Sequence, residues 1–237
     1  ATVGKALRSW RELFDVRSNL RGLWGEGEPP LNRTTGVTLD IALAVAGEDH
    51  LLDLLPVDPA TYRPERLRCP GKELGFECQR LLRDAMDAYD VFGFAEDDLI
   101  VHDPWFFAKL QWFSRSTDPA ALLLPHRFEH ASDAQPEKIY IDAAIGRRFT
   151  RQFHDISVQP QIVLPYLNTA VSFRRPINPH SGCYFLTQEQ MRRWSQQSWF
   201  LDRDSSFVGP LESAATLGIM RTFRLYKPAP QCANFLE

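Results

Sequence analysis

The sequence predicts an α/β fold with helices layered on a sheet, and three observations predict it. Apolar residues recur at helical spacing in some segments and at period two in others. The two patterns alternate along the chain, as layered α/β architectures require. In residues 74–101 a helix, an apolar strand and an acidic strand end follow in close succession.

In chain order, Val3, Ala6, Leu7, Trp10, Leu13 and Phe14 mark an opening amphipathic helix. Residues 22–36, rich in Gly and Pro, read as a loop, and Asn32, Arg33 and Thr34 within it form a glycosylation sequon. Val37, Leu39, Ile41, Leu43 and Val45 alternate as a strand does. Pro56, Pro59, Pro64 and Pro70 forbid a long helix and predict an extended connection. Leu74, Cys78, Leu81, Leu82, Ala85, Met86 and Tyr89 rebuild a helix face, and residues 91–94 form an apolar strand. Asp103 with Pro104 starts a helix whose buried face is Trp105, Phe106, Leu110 and Phe113. Further strands are predicted over 121–124, 138–142 and 182–186, with helices over 187–199 and 210–217. Thr187 with Gln190 resembles a capping box, and Gly218 reads as a helix stop.

The chain has 237 residues, 44% hydrophobic and 24% charged, which suits one globular domain. Its formal net charge of -3 provides no general attraction to nucleic acid or anionic membrane. Cys69, Cys78, Cys183 and Cys232 lack metal or redox spacing and read as reduced thiols of a cytoplasmic protein. No run approaches the ~20 apolar residues of a transmembrane helix, and no secretion signal is evident. His126 and His130 lack a third partner for zinc.

Glu96, Asp97 and Asp98 stand where the strand over 91–94 ends. Adjacent carboxylates repel one another and resist desolvation, so a divalent cation is a natural counterion. Mg²⁺ or Mn²⁺ takes one or two carboxylates, with water and substrate phosphates completing its shell. Solvated acids at a strand end would give the same sequence pattern.

Residues 74–101, with the acids at their end, resemble the nucleotide-sugar-binding core of GT-A glycosyltransferases, which carry a DXD-like motif there. Residues 179–185, containing Ser181 and Gly182, are similar to the small-residue strand lining the donor-sugar pocket. Residues 207–215 resemble the segment that carries the catalytic base, here Glu212 at a helix start. The three pieces follow the family's order. The resemblance implies a Rossmann-like mixed sheet flanked by helices, with a nucleotide-binding half at 1–110 and an acceptor half at 111–237. It implies Asp98 as metal ligand, and Glu96, Asp97, Ser181 and Gly182 around the donor. Two departures accompany it. The first helix has no strand before it, and no histidine follows His180, so the expected domain lacks its first strand and its C-terminal end.

The implied reaction moves a sugar from a UDP-, GDP- or dTDP-linked donor to a hydroxyl of a glycan, lipid-linked or small-molecule acceptor. The metal would stabilise the departing diphosphate, while Glu212 deprotonates the attacking hydroxyl with inversion; a retaining displacement is the alternative outcome. Acids also favour helix N-termini electrostatically, so Glu212 has a second explanation, and Asp202 and Asp204 are rivals for the base. A sugar nucleotidyltransferase, a glycoside hydrolase using Glu96 with Glu212, and a non-catalytic interaction domain are the competing classes. The arginines at 147, 148 and 151, at 174 and 175, and at 192 and 193 would grip a diphosphate or an anionic acceptor, or form a solvated face. Trp105, Trp112, Trp194 and Trp199 offer sugar-stacking surfaces, although helical spacing favours core packing.

Overall fold

The predicted opening helix forms as α1, Thr2–Phe14, and turns Ala6, Leu7 and Phe14 inward. The computed structural model describes residues 2–15, 37–48, 50–132, 135–142 and 145–237. The loop over 22–36 and its sequon lie outside the described residues. The chain divides into two compact units, one of residues 1–74 and 96–108, the other of 75–95 and 109–237.

In the first unit, α1 is followed by β1, Ala42–Ala46, and β2, Arg63–Leu67, which pair in parallel from Ala42↔Arg63 to Ala46↔Leu67. The strand expected from Val37 begins five residues later. The backbone of its first half is held by other partners: Val37 bridges Asp15, and Arg11 Nη1 donates to the Leu39 carbonyl at 2.7 Å. Arg11 also pairs with the buried Asp15, so one guanidinium ties the helix to the segment leading into β1. The proline-rich connection contributes β2 itself. In the two-stranded sheet Pro64 sits on an edge strand, where a missing N–H is tolerated. Phe106 and Phe107 pack against Trp10 and Phe14, with Phe14 and Phe107 centroids 4.8 Å apart.

In the second unit, α2, Leu74–Asp84, is shorter than the predicted helix over 74–89. It tightens into three-residue turns, Met86 N–H to Arg83 O and Ala88 N–H to Ala85 O. Next come β3, Val91–Ala95, and α3, Phe106–Ser116, whose first residues belong to the first unit. Asp103 accepts from Trp105 N–H at 2.8 Å and so closes the turn that leads into α3. The remaining strands are β4, Ala121–Leu123; β5, Phe128–Ser132; β6, Gln135–Tyr140; β7, Gln161–Tyr166; β8, Thr169–Arg174; and β9, Cys183–Thr187. Helices α4, Gln188–Ser195, and α5, Pro210–Thr222, precede β10, Arg224–Pro228.

The architecture is therefore mixed α/β with several sheets. A four-stranded sheet has the order β4-β10-β8-β7, while β3 pairs with β9 and β5 with β6, both antiparallel. β7 is an edge strand and carries Pro165. The hairpin joining β7 to β8 turns on Leu167 and Asn168, with Leu167 at φ 53°. No Gly marks that turn, which is why periodicity alone passes over it.

Phe92 and Phe94 of β3, Tyr184 and Leu186 of β9, and Leu217 and Ile219 of α5 share one buried core. Thr187 and Gln190 form the anticipated capping box of α4. Gly218 is not a stop: α5 runs through it to Thr222. Its lack of a side chain serves packing instead, because a Cβ there would come within 2.6 Å of the Trp194 indole.

Candidate functional site

Glu96, Asp97 and Asp98 occupy a turn immediately after β3, closed by Leu99 N–H to the Glu96 carbonyl at 3.4 Å. Asp97 and Asp98 are exposed and Glu96 is half-buried. Among the described residues no group of three or more His, Cys, Asp or Glu is arranged to hold a metal ion. These acids therefore fit a Mg²⁺ or Mn²⁺ only in the form where substrate oxygens supply most of the shell. In the same unit, a cleft of about 470 Å³ is lined by Lys5, Arg8 and Glu12 of α1 and by Ile100, Val101 and His102.

In the second unit, Ala95 is the register partner of Cys183. In the chain, Glu96 follows Ala95 and Gly182 precedes Cys183. Gly182 has φ 63°, the left-handed region that suits glycine. Ser181 is 1% exposed, and its hydroxyl donates to the Pro125 carbonyl at 2.8 Å. That bond fixes the segment ahead of β9. Glu212 lies in the first turn of α5 and is half-buried; its Oε2 is 3.0 Å from where a Cβ on Gly209 would stand.

A buried charged network supports this segment. Lys227, 2% exposed, donates to Asp142 Oδ2 and to the His180 carbonyl, each at 2.7 Å. Arg127 donates to the other Asp142 oxygen at 2.9 Å. Burial alone would raise the Asp142 carboxyl, but Lys227 and Arg127 outweigh it and hold its pKa below the usual value. Burial lowers the Lys227 ammonium, and Asp142 opposes that shift. His180 bonds through Nδ1 to Thr216 Oγ1 of α5 at 2.9 Å. Burial, with Arg127 and Lys227 nearby, depresses its pKa to about 4, so the ring is neutral at pH 7. Asp142 and Lys227 are 85 positions apart, and no local motif announces their pairing.

The tryptophans divide by exposure. Trp194 is core and Trp112 packs on Tyr166, Phe173 and Phe235, whereas Trp105 is 58% exposed. Among the described residues no helix is long and apolar enough to cross a membrane. Fold and site together define a mixed α/β protein with an acidic turn at a strand end. Comparison with family models, curated proteins and solved structures returns no match to this chain.

Proposed function

We propose that this protein is a glycosyltransferase that moves a sugar from a nucleotide-diphosphate donor to an acceptor hydroxyl. The observation that carries the reading is the pairing of β3 with β9 at Ala95↔Cys183. It makes strand neighbours of residues 91–95, which lead in the chain to the acids, and residues 183–187, which follow Ser181 and Gly182; both strands overlap pieces that resemble donor-binding segments of GT-A enzymes yet are far apart in sequence. Packing adds support, since Leu217 and Ile219 of α5, the helix that carries Glu212, share the core of these strands.

In this reading Asp98 would hold Mg²⁺ or Mn²⁺, which, when bound, offsets the charge on the departing diphosphate. Glu96 and Asp97 would bind donor hydroxyls or metal-bound water, and Lys5 and Arg8 offer cations to the phosphates from the cleft of their unit. Ser181 and Gly182 would shape the sugar site through their backbone, because the Ser181 hydroxyl is engaged with Pro125. Glu212 would take the acceptor proton during an inverting displacement.

Calorimetric titration with UDP, GDP and dTDP, each with and without Mn²⁺, tests the proposal. Binding of one nucleotide, strengthened by Mn²⁺, is expected. If none binds in either condition, the transferase reading falls and an interaction domain becomes the better description.

A further inference from the structure

A cleft of about 300 Å³ in the second unit lies among the last turn of α5, the start of β10 and the residues after β8. Its lining includes four arginines, Arg175, Arg193, Arg221 and Arg224, and one acidic residue, Asp155. Phe153, Val158 and Met220 contribute apolar surface. We propose that this cleft binds a small phosphate-bearing molecule, a phosphate monoester of about sugar size, with Arg175 at its base.

Arg175 is the residue that separates this cleft from an ordinary basic surface. It is 8% exposed, and its hydrogen bonds go to carbonyls and an imidazole, none to a carboxylate. Its Nη1 donates to the carbonyls of Asp155 and Val158, the latter at 2.9 Å, and its Nη2 to His154 Nδ1 at 2.9 Å. Its Nε has no hydrogen-bond partner among the described residues. Arginine stays protonated in proteins, so Nδ1 of His154 must accept and the imidazole is neutral. Burial, the main cause, and the Arg175 charge depress the His154 pKa to about 4, in keeping with that assignment. A buried cation is thus oriented by hydrogen bonds to neutral acceptors, with Asp155 as a carboxylate that acts on it through space.

Two of the neighbouring guanidiniums are fixed in place. Arg221 pairs with Asp202 at 3.0 Å and Asp204 at 3.3 Å, and lies over the rings of Trp199 and Phe153. Arg224 is paired with Asp118. None of these three carboxylates lines the cleft. Arg193 extends from α4 and is exposed. Planar forks held in fixed orientations suit the tetrahedral oxygens of phosphate, which they can grip two at a time. A position on the last turn of α5 would favour Arg221 through the helix dipole alone, so Arg175 and Arg193 carry the test.

Titration of the full chain with inorganic phosphate, a hexose 6-phosphate and the unphosphorylated hexose, followed by calorimetry and by NMR of the arginine Nε–H signals, tests the site. Both phosphates should bind and the hexose should not. Arg193→Gln should weaken phosphate binding about fivefold and Arg175→Lys about tenfold or more, because lysine keeps the charge but loses the fork. Arg148→Gln, outside the cleft, should leave binding unchanged. Arg193 is exposed, so its variant remains informative even if Arg175→Lys fails to fold. Absence of phosphate binding at ~20 mM, far above the range of useful affinities, would overturn the proposal. Equal weakening by Arg148→Gln would do the same, since it would reveal general charge attraction. Titrating Arg193→Gln with nucleotide separates this site from the proposed donor site, because nucleotide affinity should not change.

Discussion

Lys227 reaches Asp142 across 2.7 Å at a point where neither side chain is more than 5% exposed. Asp142 also holds Arg127, so its two oxygens serve two cations. Asp142→Asn should therefore destabilise more than Lys227→Met. The first strands a buried ammonium and should cost about 3–5 kcal/mol; the second leaves the carboxylate still paired. Urea unfolding of both variants checks the order, and the reverse order would show that Lys227, not Asp142, is the centre of the network.

Acid should weaken the fold between about pH 6.5 and 4. His154 and His180 both have native pKa values near 4, against about 6.5 for an unperturbed histidine. Between those values the unfolded chain binds more protons than the native one, so stability falls as pH falls. Each ring accounts for on the order of 3 kcal/mol of that loss, complete below the native pKa. His154→Gln, whose amide oxygen can still accept from Arg175, should flatten the dependence of Tm on pH in this window. An unchanged slope would remove His154 as a contributor.

Gly218→Ala should destabilise the protein by about 1–3 kcal/mol, the scale of overpacking. Helix propensity alone predicts a gain of ~1 kcal/mol for the same change. The indole of Trp194, 2.6 Å from the new methyl, decides the sign. A higher Tm in the variant would mean that Trp194 moves aside at little expense.

Thr187→Ala should cost ~1 kcal/mol, and Thr187→Ser very little, because the capping box needs a hydroxyl at this position. Thermal unfolding of the two variants measures the difference. Similar losses in both would assign the contribution of Thr187 to its methyl group.

If a nucleotide binds, Asp98→Ala should abolish the Mn²⁺-dependent part of the affinity. Glu212→Gln should preserve binding while reducing sugar transfer at least ~100-fold, the usual scale of a general base. Normal turnover by Glu212→Gln would remove it from that role and leave Asp202 and Asp204 to be examined.

What could be read from the sequence was local. The apolar run of β3, the Asp103 turn that leads into α3 and the Thr187–Gln190 box all depend on residues within a few positions of one another. Features decided by distant partners stayed hidden. Leu39 looks like a strand residue until Arg11 takes its carbonyl, and Gly218 looks like a terminator until Trp194 packs on it. The candidate site divides in the same way. The acidic run over 96–98 and the helix start at Glu212 are visible as motifs, whereas the support of the segment before β9 comes from Pro125, Asp142, Thr216 and Lys227, scattered over a hundred positions of chain.

The edge position of β7 has a consequence for how copies of this protein behave in a crowded solution. An outermost strand offers a row of backbone donors and acceptors to any passing strand, and Val163, 57% exposed, would make such a meeting adhesive. Pro165 interrupts that row, since it has no N–H to give. A single ring near the end of a six-residue strand thus acts as a guard against sheet-to-sheet polymerisation, and replacing it with valine would remove the guard while leaving the monomer's own hairpin intact.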